Sequence, residues 1–523
     1  MRKRLYGALN LCRNPEAPSS HHARSHMIEL RNENLRSIRS DIRIPGYDRS
    51  QIRPGIVHIG VGNFHRAHQA TVIDECLRAP DNAHWGIAGV GLTNSPAARK
   101  KAAIYCLQDN LYTVTELKSD LSMATQVVGA MVQYFHAPEN PQAVVDRLAH
   151  PDTHIVSLTI TEGGYNIDET TGDFRLDHPD VIQDLSGAAP RTAFGFIVFA
   201  LQARWRAGLK PFTVVSCDNL RSNGNTARRA VVSFARAISS QLSDWIEENG
   251  AFPNSMVDRI APQVPEEQRQ RIIAASGIND LLPATCETYT NWVIEDVFCD
   301  GRPKLELGAV EFRNDVAAFE AVKGRLSNAA HMLMCYPSLL MGHRLVHEGM
   351  QETTIVKLLE NFWTLDTFPL VTPPADYSVR AFTASVVTRF SNPAIRDQLL
   401  RVAHDGAAKI MVFHAKTIRE LIDNGKDLTR EAFLLACFSR YLLGIDDRAK
   451  SFDVVEPQIT ETDWEMLKTN DPVALLRIAP FRSLELERSA PFKERYLNLW
   501  HRLASQGAAA TLNQILLLAA TIV

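Results

Sequence analysis

Lys323, Asn328 and His331 put an amine, an amide and an imidazole into one short stretch, with Glu320 one turn upstream. On a helix advancing about 100° per residue, with Lys323 at zero, Glu320 falls at about 60°, His331 at about 80° and Asn328 at about 140°. Leu326, Ala329, Ala330 and Leu333 occupy the arc between roughly 240° and 340°. A face of that make-up suits the interconversion of an alcohol and a carbonyl. The amine takes or returns the hydroxyl proton, and the uncharged donors hold the oxygen while charge develops on it. The same spacing also describes an ordinary solvated helix face, so the rest of the chain has to decide.

The element that must carry these groups is expected to be a long helix over Asp315 to Glu348, interrupted once, at Pro337. Upstream, Ile56 to Ile59 reads as a strand that runs into Gly60-Val61-Gly62-Asn63-Phe64-His65-Arg66-Ala67-His68, followed by a helical pattern through about Leu77. Strand, glycine turn and helix form the setting of a dinucleotide fingerprint, with Gly60 making the turn and Gly62 admitting a pyrophosphate to the helix N-terminus. The third glycine position is His65, so the motif is incomplete. More near-continuous apolar runs follow at Trp85 to Leu92, His154 to Thr161 and Phe212 to Cys217. Helical patterns lie between them, at Pro141 to Leu148 with Asn140 as N-cap, and at Ala193 to Ala207 closed by Gly208. Buried parallel strands have this character. The expected fold is α/β, a Rossmann-type doubly wound sheet domain joined to a mostly α-helical C-terminal domain.

Ligands of such a sheet gather at the carboxyl ends of its strands. Two polar clusters stand there, Thr161-Glu162-Gly163-Gly164-Tyr165 and Ser216-Cys217-Asp218-Asn219. After about Arg302 the strand signals fade into amphipathic helices, at Ile355–Phe362, Asn392–His404, Ala415–Asn424 and Arg430–Leu443, with a proline-rich loop over Phe368 to Asp376. The expected division is an N-terminal extension over 1–50, partly disordered, a Rossmann-type domain over 51–302 and a helical substrate domain over 303–523. The active site is expected in the cleft between the two domains.

Composition narrows the class. Hydrophobic residues make up 45% and charged residues 22%, as in ordinary globular chains, and a formal net charge of −3 gives no reason to expect a nucleic-acid or membrane partner. The eight cysteines are scattered with no CxxC pair, which suits a reducing compartment, and no apolar run is long enough to span a bilayer. A cytoplasmic location follows as the expectation. The basic stretch before Met27 lacks the pattern of a signal peptide, and Met27 is an alternative start. His58, His65 and His68 cluster near the glycine turn without a carboxylate or cysteine to complete a ligand set, so no metal is expected. A GxSxG elbow and a phosphate-binding P-loop are both absent. Asp258 beside Arg259, and Arg401 and Lys409 around a His-Asp-Gly turn, read on their own as structural or surface groups.

Taken in order, the glycine turn, Thr159-Ile160-Thr161-Glu162-Gly163-Gly164-Tyr165, Ser216-Cys217-Asp218-Asn219, Phe252-Pro253-Asn254 to Val257-Asp258-Arg259, Trp292-Val293-Ile294-Glu295-Asp296 and Lys323 to His331 resemble the mannitol dehydrogenase family of polyol-specific long-chain dehydrogenases. The resemblance implies NAD-dependent, metal-independent interconversion of a polyol and a ketose, mannitol and fructose first. A fructuronate reductase and an arabinitol dehydrogenase are the alternatives within the family, and a non-catalytic sugar or dinucleotide sensor is one from outside it. By the same resemblance Lys323 is the general base, Asn219 and Asn328 the oxyanion donors, His331 the substrate-orienting imidazole and Glu320 the acid that assists proton exit. Gly60, Gly62, Asn63, Phe64, His65 and Arg66 bind the cofactor, and Asp258, Arg401 and Lys409 hold the sugar chain. A free lysine titrates at about 10.4, so burial or cationic neighbours would have to lower it for such a role. The chain departs from the family at Thr93-Asn94-Ser95-Pro96, where an acid for the adenosine ribose is missing and Arg99, Lys100 and Lys101 lie just downstream. NADP is therefore not excluded. The expected partner is the small-molecule substrate alone, with the protein a monomer or weak homo-oligomer.

Overall fold

The apolar runs of the first half become one five-stranded parallel sheet. A computed structural model of the chain describes residues 27–168, 172–469 and 471–520, without the side chains of 518–520. Within it β1 (Pro54–Ile59), β2 (Gly86–Gly91), β3 (Met131–His136), β4 (Ile155–Leu158) and β5 (Thr213–Ser216) lie in the order β3-β2-β1-β4-β5, every pair parallel. That is the doubly wound order, with the topological switch between β1 and β4. Alternate residues feed two separate cores. Val57, Ile59, Val156, Leu158 and Val214 pack with Val144, Leu148, Phe194, Ile197 and Leu201 of the helices α4 (Pro141–Ala149) and α5 (Ala193–Arg206). Ile56, Ile87, Ile155 and Val215 pack on the other face with Ile73, Tyr112 and Trp292. Each fully buried aliphatic side chain of this set stabilises the fold by roughly 1.5–3 kcal/mol.

Local signals place the helices as expected. The Asn140 side chain accepts the Ala143 N–H at 3.1 Å ahead of Pro141, and Gly208 adopts φ +69° just past α5. The helical pattern after the glycine turn divides at His68 (φ −120°, ψ −85°) into α1 (Asn63–Ala67) and α2 (Gln69–Cys76). Three features escaped the sequence reading. β3 is an edge strand whose Gln133 and Tyr134 dilute the apolar pattern. Tyr112–Leu117 and Met123–Val128 form an antiparallel pair flanked by Ala284–Cys286, and Ser255–Asp258 pairs with Asn291–Ile294, which in turn pairs with Glu311–Phe312.

Of the N-terminal extension, residues 1–26 lie outside the described residues. From Met27 onward the chain is tied down: Ile28–Glu29 pairs with Ile278–Asn279, and Leu30, Ile38 and Ile42 cluster with Leu111, Val127 and Ile278. Among the described residues no helix is long and apolar enough to cross a membrane.

The chain divides into two compact units between Ala317 and Ala318, with Lys118–Leu121 grouped with the second. The second is helical. The expected single helix from Asp315 to Glu348 is instead α6 (Val316–Val322), a π-turn over Lys323–Asn328, and α7 (Ala329–Leu340). Pro337 lies inside α7 and does not end it; the helix stops at Gly342, whose φ of +97° leaves the helical region. The helix expected over Asn392–His404 shrinks to α8 (Leu399–Ala403). Asn392 turns the chain by accepting the Ala394 N–H across Pro393, and Arg396 takes φ +51°, so both residues favour a turn over a helix. α7 packs against α8 and against α9 (Thr429–Tyr441), which also meets the C-terminal helix α10 (Ala490–Ala520).

Candidate active site

In the first unit the glycine turn closes at the carboxyl end of β1. Gly60 has φ +99°, and a Cβ there would lie 2.2 Å from the Thr159 carbonyl oxygen, so only glycine fits. The Thr159 hydroxyl donates to the Gly60 carbonyl at 2.7 Å and meets His58 Nε2 at 2.9 Å. A Cβ at Gly62 would meet nothing closer than the Gly60 carbonyl at 3.7 Å, which leaves room beside the start of α1. Asn63 is held by Arg66 at 2.7 Å and donates to the Pro262 carbonyl at 3.1 Å. His65 and Arg66 turn inward instead. The His65 ring is 1% exposed and stacks on His58 at 3.4 Å, and both of its nitrogens lack a partner. Burial first, and then His58, hold its pKa well below the usual histidine range. Arg66 is buried over Tyr112 and donates to the Leu282 carbonyl. These two build the turn from beneath, leaving Gly60, Gly62, Asn63 and Phe64 along it.

At the end of β2 no acid stands in the first turn of α3 (Pro96–Leu107). Ser95 caps that helix through the Ala98 N–H at 3.1 Å, and Arg99 donates to Asn94 at 2.9 Å. Lys101 reaches back to the Val61 carbonyl, and burial, with Arg66 nearby, brings its amine down to about 7.

The ends of β4 and β5 are joined by Asp218. Its carboxylate accepts the N–H groups of Ile160 and Thr161 at 3.1 and 2.9 Å and the Tyr165 hydroxyl at 2.9 Å. Thr161 sits at φ +60°, ψ 170°, a region almost confined to glycine, so this carboxylate holds a strained turn. Burial raises Asp218 to about 6, against the hydrogen bonds that lower it. Asn219, next in sequence, is exposed. Asp258 ends its strand as a buried residue, whereas Arg259 is committed to Glu116 at 2.6 Å and to the Ala67 carbonyl at 2.7 Å.

In the second unit Lys323 opens the π-turn and is 8% exposed. The Ala329 N–H bonds back to Gly324, five residues earlier, so rotation per residue is less than in an α-helix. A wheel drawn at about 100° per residue therefore misplaces Asn328 and His331 relative to Lys323. The wider turn brings residues 323 and 328 toward one side. Glu320 precedes the turn, half-buried. The His331 side chain is 16% exposed, stacks on Phe390 at 4.3 Å and lies 3.9 Å from Asp397. Burial pushes its pKa down to about 3, outweighing the pull of Asp397, so the ring is neutral near pH 7.

Asp397 is the group that sequence reasoning missed. Arg401 grips it through Nε and Nη2, both at 2.6 Å. Burial alone would raise this carboxyl; the Arg401 hydrogen bonds win and keep it below its usual range. The i,i+4 spacing of an aspartate and an arginine was the available signal. Lys409 donates to the carbonyls of Val402 and His404 at 3.1 and 2.6 Å, capping the end of α8. The structure thus brings His331, Asp397 and Arg401 together.

Residues 54–307 match the Mannitol dehydrogenase Rossmann domain and residues 315–504 the Mannitol dehydrogenase C-terminal domain. The chain belongs to the mannitol dehydrogenase family. Among relatives, it is 43% identical to a Polyol:NADP oxidoreductase of Gluconobacter oxydans, over 86% of this chain and 92% of that protein. Among solved structures in or near the family, it is 36% identical to Pseudomonas fluorescens mannitol 2-dehydrogenase in ternary complex with NAD and D-mannitol, at a TM-score of 0.87 over 94% of this chain and 99% of that one. A substrate-free D-sorbitol dehydrogenase is 40% identical at a TM-score of 0.83, over 92% and 100%. The Rossmann-type unit and helical unit are those of the family.

Proposed function

We propose that the protein is an NAD-dependent polyol dehydrogenase interconverting D-mannitol and D-fructose. The glycine turn suits a dinucleotide, because Gly60 is compulsory for its shape and Gly62 leaves its outer side open. The nicotinamide, when bound, exchanges hydride with the carbinol carbon. The chain's own part is proton and charge management. Lys323 takes the hydroxyl proton as the alcohol is oxidised and returns it in reduction. Asn328 and Asn219 are the amide N–H donors to the oxygen. His331 orients the substrate as a neutral ring, and Glu320 passes the proton onward. Gly60, Gly62, Asn63 and Phe64 hold the dinucleotide; Asp258, Arg401 and Lys409 hold the rest of the sugar chain.

The observation that carries a polyol over a hexuronate is the Arg401–Asp397 pair. Two of the guanidinium's five N–H groups and all of its charge are already matched by a carboxylate. A substrate carboxylate would meet Asp397 as well as Arg401, while a hydroxyl needs only the remaining donors. NADP is the second reading of the cofactor. The missing acid after β2, Arg99 beside Asn94, and the name of the Gluconobacter relative favour it. We place the enzyme in the cytoplasm as a monomer or weak homo-oligomer.

The test compares kcat/KM for fructose and fructuronate with NADH at neutral pH, in the wild type and in Lys323→Ala. Fructose should win, and the variant should lose at least about 10²-fold in kcat with little change in cofactor affinity. A tenfold advantage (about 1.4 kcal/mol) for fructuronate would overturn the substrate. Near-normal turnover without the amine would overturn the base.

A further inference from the structure

Beneath the Lys323 turn lies a set of buried polar groups that the proposed chemistry does not use. A π-turn is rare and occurs mostly as a single turn, often at functional sites. Here two side-chain N–H groups hold it. Trp363 Nε1 donates to the Leu326 carbonyl at 2.8 Å, inside the turn. His414 Nε2 lies 3.0 Å from the carbonyl of Ala329, the first residue beyond it. A carbonyl only accepts, so Nε2 carries a proton. The other nitrogen, Nδ1, faces Glu431 at 2.9 Å, and both side chains are essentially inaccessible, at 0% and 1%.

The neighbour of Glu431 on α9 completes the bracing. Arg430 pairs with both oxygens of buried Asp366, at 2.5 and 2.6 Å. Asp366 and Trp363 belong to a second π-turn, Phe362–Thr367. Arg325, within the first π-turn, is anchored to Glu420 at 2.6 Å and to the Leu370 carbonyl at 2.9 Å. Consecutive residues of one helix therefore brace both π-turns. Buried ion pairs of this kind seldom add net stability over apolar packing, which points to register as what they secure.

We propose that Trp363 and His414, braced by Arg430 and Glu431, are positioning residues that hold Lys323–Asn328 in π register, so that the Lys323 amine and the Asn328 amide meet one substrate oxygen. In an α-helix residues five apart diverge by about 140°; the π-turn removes much of that divergence. The inference rests on the reading of Lys323 and Asn328 as reacting groups.

Trp363→Phe keeps an aromatic ring, smaller than the indole, and deletes one N–H. His414→Leu deletes the other, and His414→Gln restores an N–H close to the position of Nε2. A shift of about 1 Å at a reacting group costs up to about 10²-fold. Trp363→Phe and His414→Leu should therefore lower kcat at least about tenfold and move the pH midpoint of kcat, with the dissociation constant for NAD by calorimetry unchanged. His414→Gln should recover most of the loss. Amide exchange over residues 323–331 should quicken in the first two variants. Wild-type kcat and pH midpoint in Trp363→Phe would overturn the proposal. So would a fall in kcat that only follows a lower melting temperature, with the midpoint unmoved. If His414→Leu does not fold, Trp363→Phe and His414→Gln decide. Turnover surviving in Lys323→Ala refutes the base assignment itself; an inactive Lys323→Ala beside an unaffected Trp363→Phe refutes only the positioning role.

Discussion

The residue that most changes the reading of the substrate end is Asp397. Arg401 and Lys409, taken by type, offer a clamp for either hydroxyls or a carboxylate. In the folded unit Lys409 holds the carbonyls of Val402 and His404 at the end of α8, and Arg401 is paired before any substrate arrives. Preference for an uncharged chain then follows from charge already satisfied. Asp397→Asn removes that compensation and leaves an unpaired guanidinium. On the reading that Arg401 touches the substrate, the ratio of kcat/KM for fructuronate over fructose should rise by about tenfold or more, in line with a bidentate arginine–carboxylate contact. An unchanged ratio would place Arg401 away from the sugar. Losing Asp397 also removes a neighbour that favours protonation of His331, so that ring should stay neutral in the variant.

At the scale of elements, the strands were legible because parallel strands buried on both faces are written as apolar runs, and β1, β2, β4 and β5 are such runs. β3 was not, since an edge strand with Gln133 and Tyr134 shows no such run. The candidate site residues Lys323, Asn328 and His331 were legible by type, but their geometry was not. A helical wheel assumes one rotation per residue, and the π-turn that changes it is held by Trp363 and His414, 37 and 85 positions away in sequence from the carbonyls they meet. Asp397 hid for a related reason, in a turn set by Asn392 and Pro393 that a helical pattern had covered over. The glycine turn separates shape from binding. Gly60→Ala must displace the Thr159 carbonyl and should lower the melting temperature. Gly62→Ala has φ −104° and open space, so it should melt as the wild type does while its Cβ weakens NAD binding. Thermal melts beside calorimetric NAD titrations check the pair; equal NAD affinity in Gly62→Ala would remove that glycine from the cofactor site.

For the molecule as a whole, buried titratable groups set how stability follows pH. His58 and His331 are pushed down to about 3 by burial, and His65 is held well below its usual range by burial and by His58. Each stays neutral in the fold, while in the unfolded chain each takes a proton below about 6.5. The unfolded state then binds more protons, so stability falls as pH falls through that value. At pH 5 the loss is about 2 kcal/mol for each such ring. Asp218 and Glu456 act in the opposite sense. Raised by burial to about 6 and about 7, they bind protons in the fold first, and stability rises as pH drops through those values. That gain ends near the unfolded value of about 4. Below it Asp397 and Asp446, both held under the usual range, lose their ionised contacts too. The melting temperature should therefore fall from pH 7 to 5, because the two carboxyls offset only part of what the three rings lose, and more steeply below about pH 4. His65→Phe isolates one contribution. It removes two unpartnered buried nitrogens but keeps a ring against His58. Its melting temperature relative to the wild type should climb steadily as pH falls from 7 to 5. A difference that stays constant across that range would mean His65 is not held neutral in the fold, and the acid limb would have to come from other groups.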